Sequence, residues 1–182
     1  MPVLYLITLH NVTNHFHVIL NISENPGTRG MVSELDAVGI KHTSVGPDMG
    51  AREGSRTDWL TDFLSEYAAS NPPFGCVLVG FDEQLTYARM LRAAVCLHAN
   101  PECPFIATNP DPTFPVGAVV NGHRIEIPGT GSIVRAVATA ACREPVFLGK
   151  PYAPMFEHIQ QLYEEDAGAP LDPSRTLFIG DR

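Results

Sequence analysis

Four short apolar runs in this chain each end on polar residues, and segments of helical period separate them. The runs are "CVLVGFD" (76–82), "CPFIATN" (103–109), "PVFLGK" (145–150) and "RTLFIGD" (175–181). Nearly continuous apolar runs of this length suit strands buried on both faces. Between them, "LTYARMLRAAVCLHA", "GTGSIVRAVATAACR" and "APMFEHIQQLYEED" repeat apolar positions at helical spacing. This alternation predicts an α/β fold, a mostly parallel sheet with helices on its faces. Ligands of open α/β sheets bind beyond the carboxyl ends of the strands, so "VGFD", "IATN", "FLGKP" and "FIGDR" are where chemistry is expected.

The rhythm begins further upstream. "HFHVILN" (15–21) reads as a strand, residues 29–39 as a helix with Met31, Val32, Leu35 and Val38 on one face, and "IKHTSVG" as the next strand. Residues 47–56 have loop composition. The following "TDWLTDFLSEYAAS" places Trp59, Leu60, Phe63, Leu64 and Tyr67 on one helical face, with Thr57 or Asp58 to cap its start. Residues 1–14 fit no period. Pro110, Pro112, Pro115 and Pro128 rule out a continuous helix over 110–129 and leave loops with a hairpin around Asn121-Gly122.

A net charge of -8 and the lack of any Lys/Arg cluster argue against nucleic acid as a partner. Cys76, Cys96, Cys103 and Cys142 form no C-x-x-C pair, which argues against a zinc knuckle or a thioredoxin-type site and favours buried thiols in a reducing compartment. The apolar start "MPVLYLITLH" lacks a basic leader and a small-residue cleavage site, and no run is long enough to span a membrane. These features predict a cytoplasmic protein with no membrane partner.

Lys150 follows an apolar run and precedes Pro151. Such a lysine is either a solvated loop residue or a point charge that neutralises a phosphate. Asp181 after "LFIG" either caps a turn or ligates a hard cation such as Mg2+. Lys150 and Asp181 end successive strands of one βαβ rhythm, so both are expected to face one cleft, and together they suggest phosphoryl chemistry. Asn109 could orient a ligand at a strand end, whereas Asp111 reads as a turn residue. Gly129, Thr130 and Gly131 could expose backbone N–H groups to an anion at a helix start. The sequence lacks the spacing of a nucleotide P-loop or a dinucleotide fingerprint. His10, His15 and His17 have no carboxylate or cysteine to complete a metal set.

From about residue 29 to 182, "SELDAVGI", "VLVGFDEQLTYARM", "FIATNPDPTFP", "PGTGSIVRAV", "GKPYAPMFEHI" and "RTLFIGDR" follow one another in the order of a known family. The chain resembles the haloacid-dehalogenase-like phosphatases with a NagD-type cap, specifically the 4-nitrophenylphosphatase, phosphoglycolate phosphatase and pyridoxal phosphate phosphatase group. The resemblance implies an atypical segment over 1–17, an α/β cap over 18–128 and the C-terminal part of a Rossmannoid core over 129–182. It implies that Lys150 binds phosphate and steadies the nucleophile, that Asp181 ligates Mg2+, and that Asn109 lies in the part of the cap that reaches toward substrate. It also implies a homodimer formed through the cap. Where pyridoxal phosphate relatives carry a histidine, this chain has Phe114, which favours a small phosphoester such as 2-phosphoglycolate.

The family's nucleophile and general acid/base lie in a "DxDG" segment, and no "DxDG" occurs in these 182 residues. The Thr/Asn-rich phosphate segment is replaced by "MPVLYLITLHNVTNHFH", and the second metal-side aspartate expected beyond "GDR" is not among these residues. Lys150 cannot take over, because the family's covalent intermediate is an aspartyl-phosphate. The expectation is therefore a phosphatase fragment, truncated at both ends and inactive alone. The competing expectation is a non-catalytic binding or regulatory partner of an intact phosphatase subunit.

Overall fold

The computed structural model describes residues 17–21, 26–42, 60–61, 64–65, 75–83, 85–177 and 179. Strand β1 (His17–Asn21) leads through helix α1 (Pro26–Ala37) to the short strand β2 (Lys41–His42). Strand β3 (Cys76–Val79), helix α2 (Tyr87–Ala99) and strand β4 (Phe105–Ala107) follow. A hairpin of β5 (Thr113–Val120) and β6 (His123–Pro128) precedes helix α3 (Thr130–Ala141), strand β7 (Val146–Phe147), helix α4 (Ala153–Ala167) and a 3-10 turn at Pro173–Arg175.

Five strands form one sheet in the order β2-β1-β3-β4-β7, and every neighbouring pair is parallel. The chain winds outward from the middle in both directions, which is the doubly wound arrangement. Right-handed crossovers then place α1 on one face and α2 with α3 on the other. Strand alternation agrees. Val77, Val79, Phe105, Ala107 and Phe147 form one buried cluster with Leu97 of α2 and Ile133, Val134 and Val137 of α3. Ala93 and Ala94 of α2 and Ala138 and Ala141 of α3 are buried in the same cluster. Their short side chains let the two helices approach closely above the sheet.

This core joins residues on either side of the boundary expected at 128. Helix α3 and strand β7, assigned by resemblance to the 129–182 segment, share their packing and hydrogen bonding with 76–107. The physical reason is that β7 finds its edge on β4: Ile106 pairs with Val146 and Ala107 with Phe147.

The helix ends explain where the segments stop. Thr86 caps α2, its hydroxyl accepting from the Arg89 amide at 3.3 Å. At the other end Arg143 donates to the carbonyls of Leu97 (3.1 Å), Asn100 (3.3 Å) and Cys103 (2.9 Å). A guanidinium there both satisfies carbonyls and opposes the negative end of the helix dipole. The hairpin turns at Asn121 and Gly122 with φ of 50° and 81°, as an Asn-Gly turn requires.

The helix expected over 57–70 is described only at Leu60–Thr61 and Leu64–Ser65, which are helical. The final strand expected at 175–181 is absent among the described residues. Leu177 and Ile179 lie outside any ladder with 82 % and 81 % of their surface exposed, since no described strand runs beside them. Helix α4 likewise carries no buried residue. No helix among the described residues is long and apolar enough to cross a membrane.

Candidate functional site

Parallel strands deliver their carboxyl ends to one side of the sheet, and three of the expected polar endings meet there. The Thr108 amide donates to the Val79 carbonyl at 3.1 Å and the Leu148 amide to the Ala107 carbonyl at 3.0 Å, which aligns the exits of β3, β4 and β7. Asn109 and Lys150 therefore leave the sheet side by side. The contact is tight at Gly149. A β-carbon there would overlap the Thr108 carbonyl oxygen and stand 3.5 Å from Cβ of Asn109, so only glycine lets the two exits run flush.

Lys150 is exposed in the turn that follows. That turn is closed by the Tyr152 amide, which donates to the Gly149 carbonyl at 3.0 Å, and the Tyr152 ring stacks on Phe147 with centroids 5.2 Å apart. Asn109 is half-buried and uses both ends of its amide on the protein. Its Nδ2 donates to Thr108 Oγ1 at 3.5 Å and to Thr130 Oγ1 at 3.3 Å, and its Oδ1 accepts from the Asp111 amide at 3.1 Å. Asp111 is exposed in that turn, as a turn residue should be.

The anion cradle expected at Gly129–Gly131 is filled by the chain itself. The Gly129 amide donates to the Pro112 carbonyl at 2.8 Å, the Gly131 amide to the Asp111 carbonyl at 2.7 Å, and the Ser132 hydroxyl to the Pro112 carbonyl at 2.6 Å. β-Carbons at Gly129 and Gly131 would run into the backbone of Asp111 and Pro110. The glycines are there for close approach between the Asn109–Pro112 turn and α3, and their N–H groups are already used.

Two neighbours of this edge have side-chain roles that the sequence did not assign, although "VGFD" marked Asp82 as part of a strand ending and Thr130 was read as part of a helix start. Asp82, in the loop after β3, is paired with Arg89 of α2 through an Oδ2 to Nη1 contact of 2.6 Å, with side-chain exposures of 0 % and 5 %. The pair anchors the loop that carries Phe81, and the Phe81 ring meets Phe114 edge-to-face with centroids 5.4 Å apart. Phe114, where the resemblance implied a histidine in pyridoxal phosphate phosphatases, is thus an apolar wall packed on Phe81. Thr130 is the other, a buried hydroxyl held by Asn109. An aspartate seven residues before an arginine, or a threonine at a helix start, has too many readings for its side-chain partner to be assigned from sequence.

Asp181 and His10 and His15 lie outside the described residues, and nothing is described of the His17 side chain. Among the described residues no three His, Cys, Asp or Glu side chains stand together as a metal site. The described residues do not fit Mg2+ by themselves. The topological switch point of the sheet lies between β1 and β3. Asn109 and Lys150 stand away from it, at the ends of the second and third strands on that side, β4 and β7.

All four cysteines are free, three of them buried and Cys142 exposed. Burial raises the Cys76 thiol well above its ordinary value, with the nearby Cys103 adding to it. Burial also pushes Cys103 up to about 11, against the opposing pull of the Arg143 guanidinium. Such thiols stay protonated at neutral pH and are unreactive.

No protein-family model matches the chain. Its sequence is 36 % identical to glycerol-3-phosphate phosphatase of Gallus gallus over 157 residues, covering 86 % of this chain and 44 % of that protein. It is 40 % identical to chronophin of Bos taurus over 157 residues, 86 % of this chain and 43 % of that one. The chain thus spans less than half the length of the curated relatives it matches. In fold it is similar to a glycerol phosphate phosphatase from Mycobacterium tuberculosis solved in complex with magnesium, with a TM-score of 0.57 and 20 % identity over 87 % of this chain and 37 % of that one. Over the part it shares with these proteins, the chain is a homologue of glycerol-3-phosphate phosphatase and chronophin, and it has the α/β fold of the solved phosphatase.

Proposed function

We propose that this chain supplies the cap and the phosphate-binding lysine of a Mg2+-dependent phosphomonoester phosphatase acting on a small phosphoester. Substrates of the size of 2-phosphoglycolate or 4-nitrophenyl phosphate fit this reading. The observation that carries it is the convergence of the β4 and β7 exits, which puts Asn109 and Lys150 at one edge of the sheet in a chain with phosphatase relatives. At that edge the Lys150 ammonium neutralises a phosphoryl oxygen as a point charge, and Phe81 with Phe114 offers an apolar surface to the leaving group. Asp181, outside the described residues, would be the carboxylate of this chain that holds the metal, and the metal would supply neutralisation of phosphoryl charge.

The proposed cap extends beyond residue 128 through β7, because α3 and Phe147 belong to the same hydrophobic core as β3 and β4. The absence of "DxDG" from the sequence supports a chain that does not turn over by itself. It equally supports a regulatory subunit that pairs with an intact phosphatase through the cap. Free cysteines agree with the reducing cytoplasm as its location.

The test is hydrolysis of 4-nitrophenyl phosphate by the purified 182-residue chain with Mg2+, alone and mixed with an intact relative. No turnover alone is expected. Turnover that disappears in Lys150→Ala would overturn the inactive-fragment reading, and failure to bind both phosphate and the intact subunit would overturn both roles.

A further inference from the structure

The turn that carries Lys150 is fixed at its base from three directions. Gly149 lies flush against Thr108 and Asn109, where no β-carbon fits. The Tyr152 amide closes the turn onto the Gly149 carbonyl at 3.0 Å, and its ring is stacked on Phe147. Beneath Gly149, Asn109 is itself immobilised. Its amide links the Thr130 hydroxyl at 3.3 Å to the Asp111 amide at 3.1 Å, and Thr130 opens α3, a helix built into the hydrophobic core.

An exposed lysine stem has four rotatable bonds and loses much of its entropy when its ammonium is held at one place. A base fixed by rigid elements reduces the volume the ammonium must search. We propose that Asn109, Thr130 and Gly149 are positioning residues for Lys150, transmitting the rigid start of α3 to the turn that presents the ammonium group. Asn109 then acts through placement and does not itself hold substrate. The inference rests on the proposed role of Lys150 in phosphate binding for its functional meaning, but its structural part can be tested separately.

Nuclear magnetic relaxation of Lys150 Cε in the 182-residue chain reads the order of the side chain, with Lys150→Ala assigning the signal. Gly149→Ala and Thr130→Val are expected to lower that order, while Thr130→Ser, which keeps the hydroxyl, is expected to preserve it. Arg143→Ala serves as a control: it removes carbonyl bonds at the end of α2 and lowers overall stability without touching the turn. Inorganic phosphate is then titrated into each variant. Gly149→Ala and Thr130→Val should weaken its binding roughly tenfold or more, and Thr130→Ser and Arg143→Ala should not.

Unchanged Lys150 order in Gly149→Ala and Thr130→Val overturns the proposal. So does an equal loss in Arg143→Ala, which would reduce the effect to general destabilisation. If the order responds as expected but phosphate does not perturb Lys150 in the unmodified chain, the positioning stands and the phosphate role falls.

Discussion

Asp82 and Arg89 form a buried ion pair at 2.6 Å, directly behind the loop that brings Phe81 to Phe114. Removing one partner strips a charged group from its counter-charge in a site water barely reaches. Arg89→Leu is expected to cost about 3–5 kcal/mol, measured by urea unfolding. The double variant Asp82→Leu with Arg89→Leu should cost less than the sum of the single changes. Additive losses in the double-mutant cycle would refute the coupling.

Arg143 ties three carbonyls from 97 to 103 to the residue just beyond α3. Arg143→Ala should destabilise the protein by about 1.5–3 kcal/mol, the range for hydrogen bonds from a charged donor. Hydrogen exchange should accelerate first at the last turn of α2. Uniform acceleration across α2 and β1 alike would contradict a local capping role.

Gly131 packs against the backbone of Pro110 without room for a β-carbon. Gly131→Ala must displace the Asn109–Pro112 turn or the first turn of α3, at a cost of roughly 1–3 kcal/mol. Thermal unfolding of this variant, compared with Ser132→Ala on the same turn, separates the steric effect from the loss of one hydrogen bond.

The thiols divide by exposure. In the native chain at neutral pH, an aromatic disulfide reagent should modify Cys142 rapidly and reach Cys76, Cys96 and Cys103 only on unfolding. Because the folded protein raises Cys103 from 9.0 to about 11, the folded state holds a proton that the unfolded state gives up above the ordinary thiol value. Stability is therefore expected to be intact below pH 9.0 and to fall as pH rises toward about 11. Cys103→Ala should flatten that part of the alkaline stability profile, and an unchanged slope would exclude the thiol as its source.

The strands and helices from Cys76 to Ala167 were legible because each rests on local information. Apolar runs gave β3 and β4, helical spacing gave α2, α3 and α4, and Asn121-Gly122 marked the hairpin. Pairing was less legible. Nothing near Val146 announces that it will lie beside Ile106, so the edge position of β7 and the continuity of the core past residue 128 emerged only with the folded chain. The same holds for the site. Asn109 and Lys150 were recognisable as strand endings. The bond from Asn109 to Thr130 spans 21 residues, however, and the glycines that suggested an anion cradle proved to be points of backbone contact.

The β5–β6 hairpin leaves the rest of the molecule at Pro112 and rejoins it at Gly129, where the two ends are fastened by the 2.8 Å bond between them. Most of its length is exposed, including Val116, Val119 and Val120. Its root and its tip are consequently independent inheritances: the root belongs to the sheet and α3, whereas the tip can lengthen, shorten or change sequence with little penalty to the fold. Descendants of such a chain can diversify what this arm touches while keeping the lysine-bearing edge beneath it unaltered.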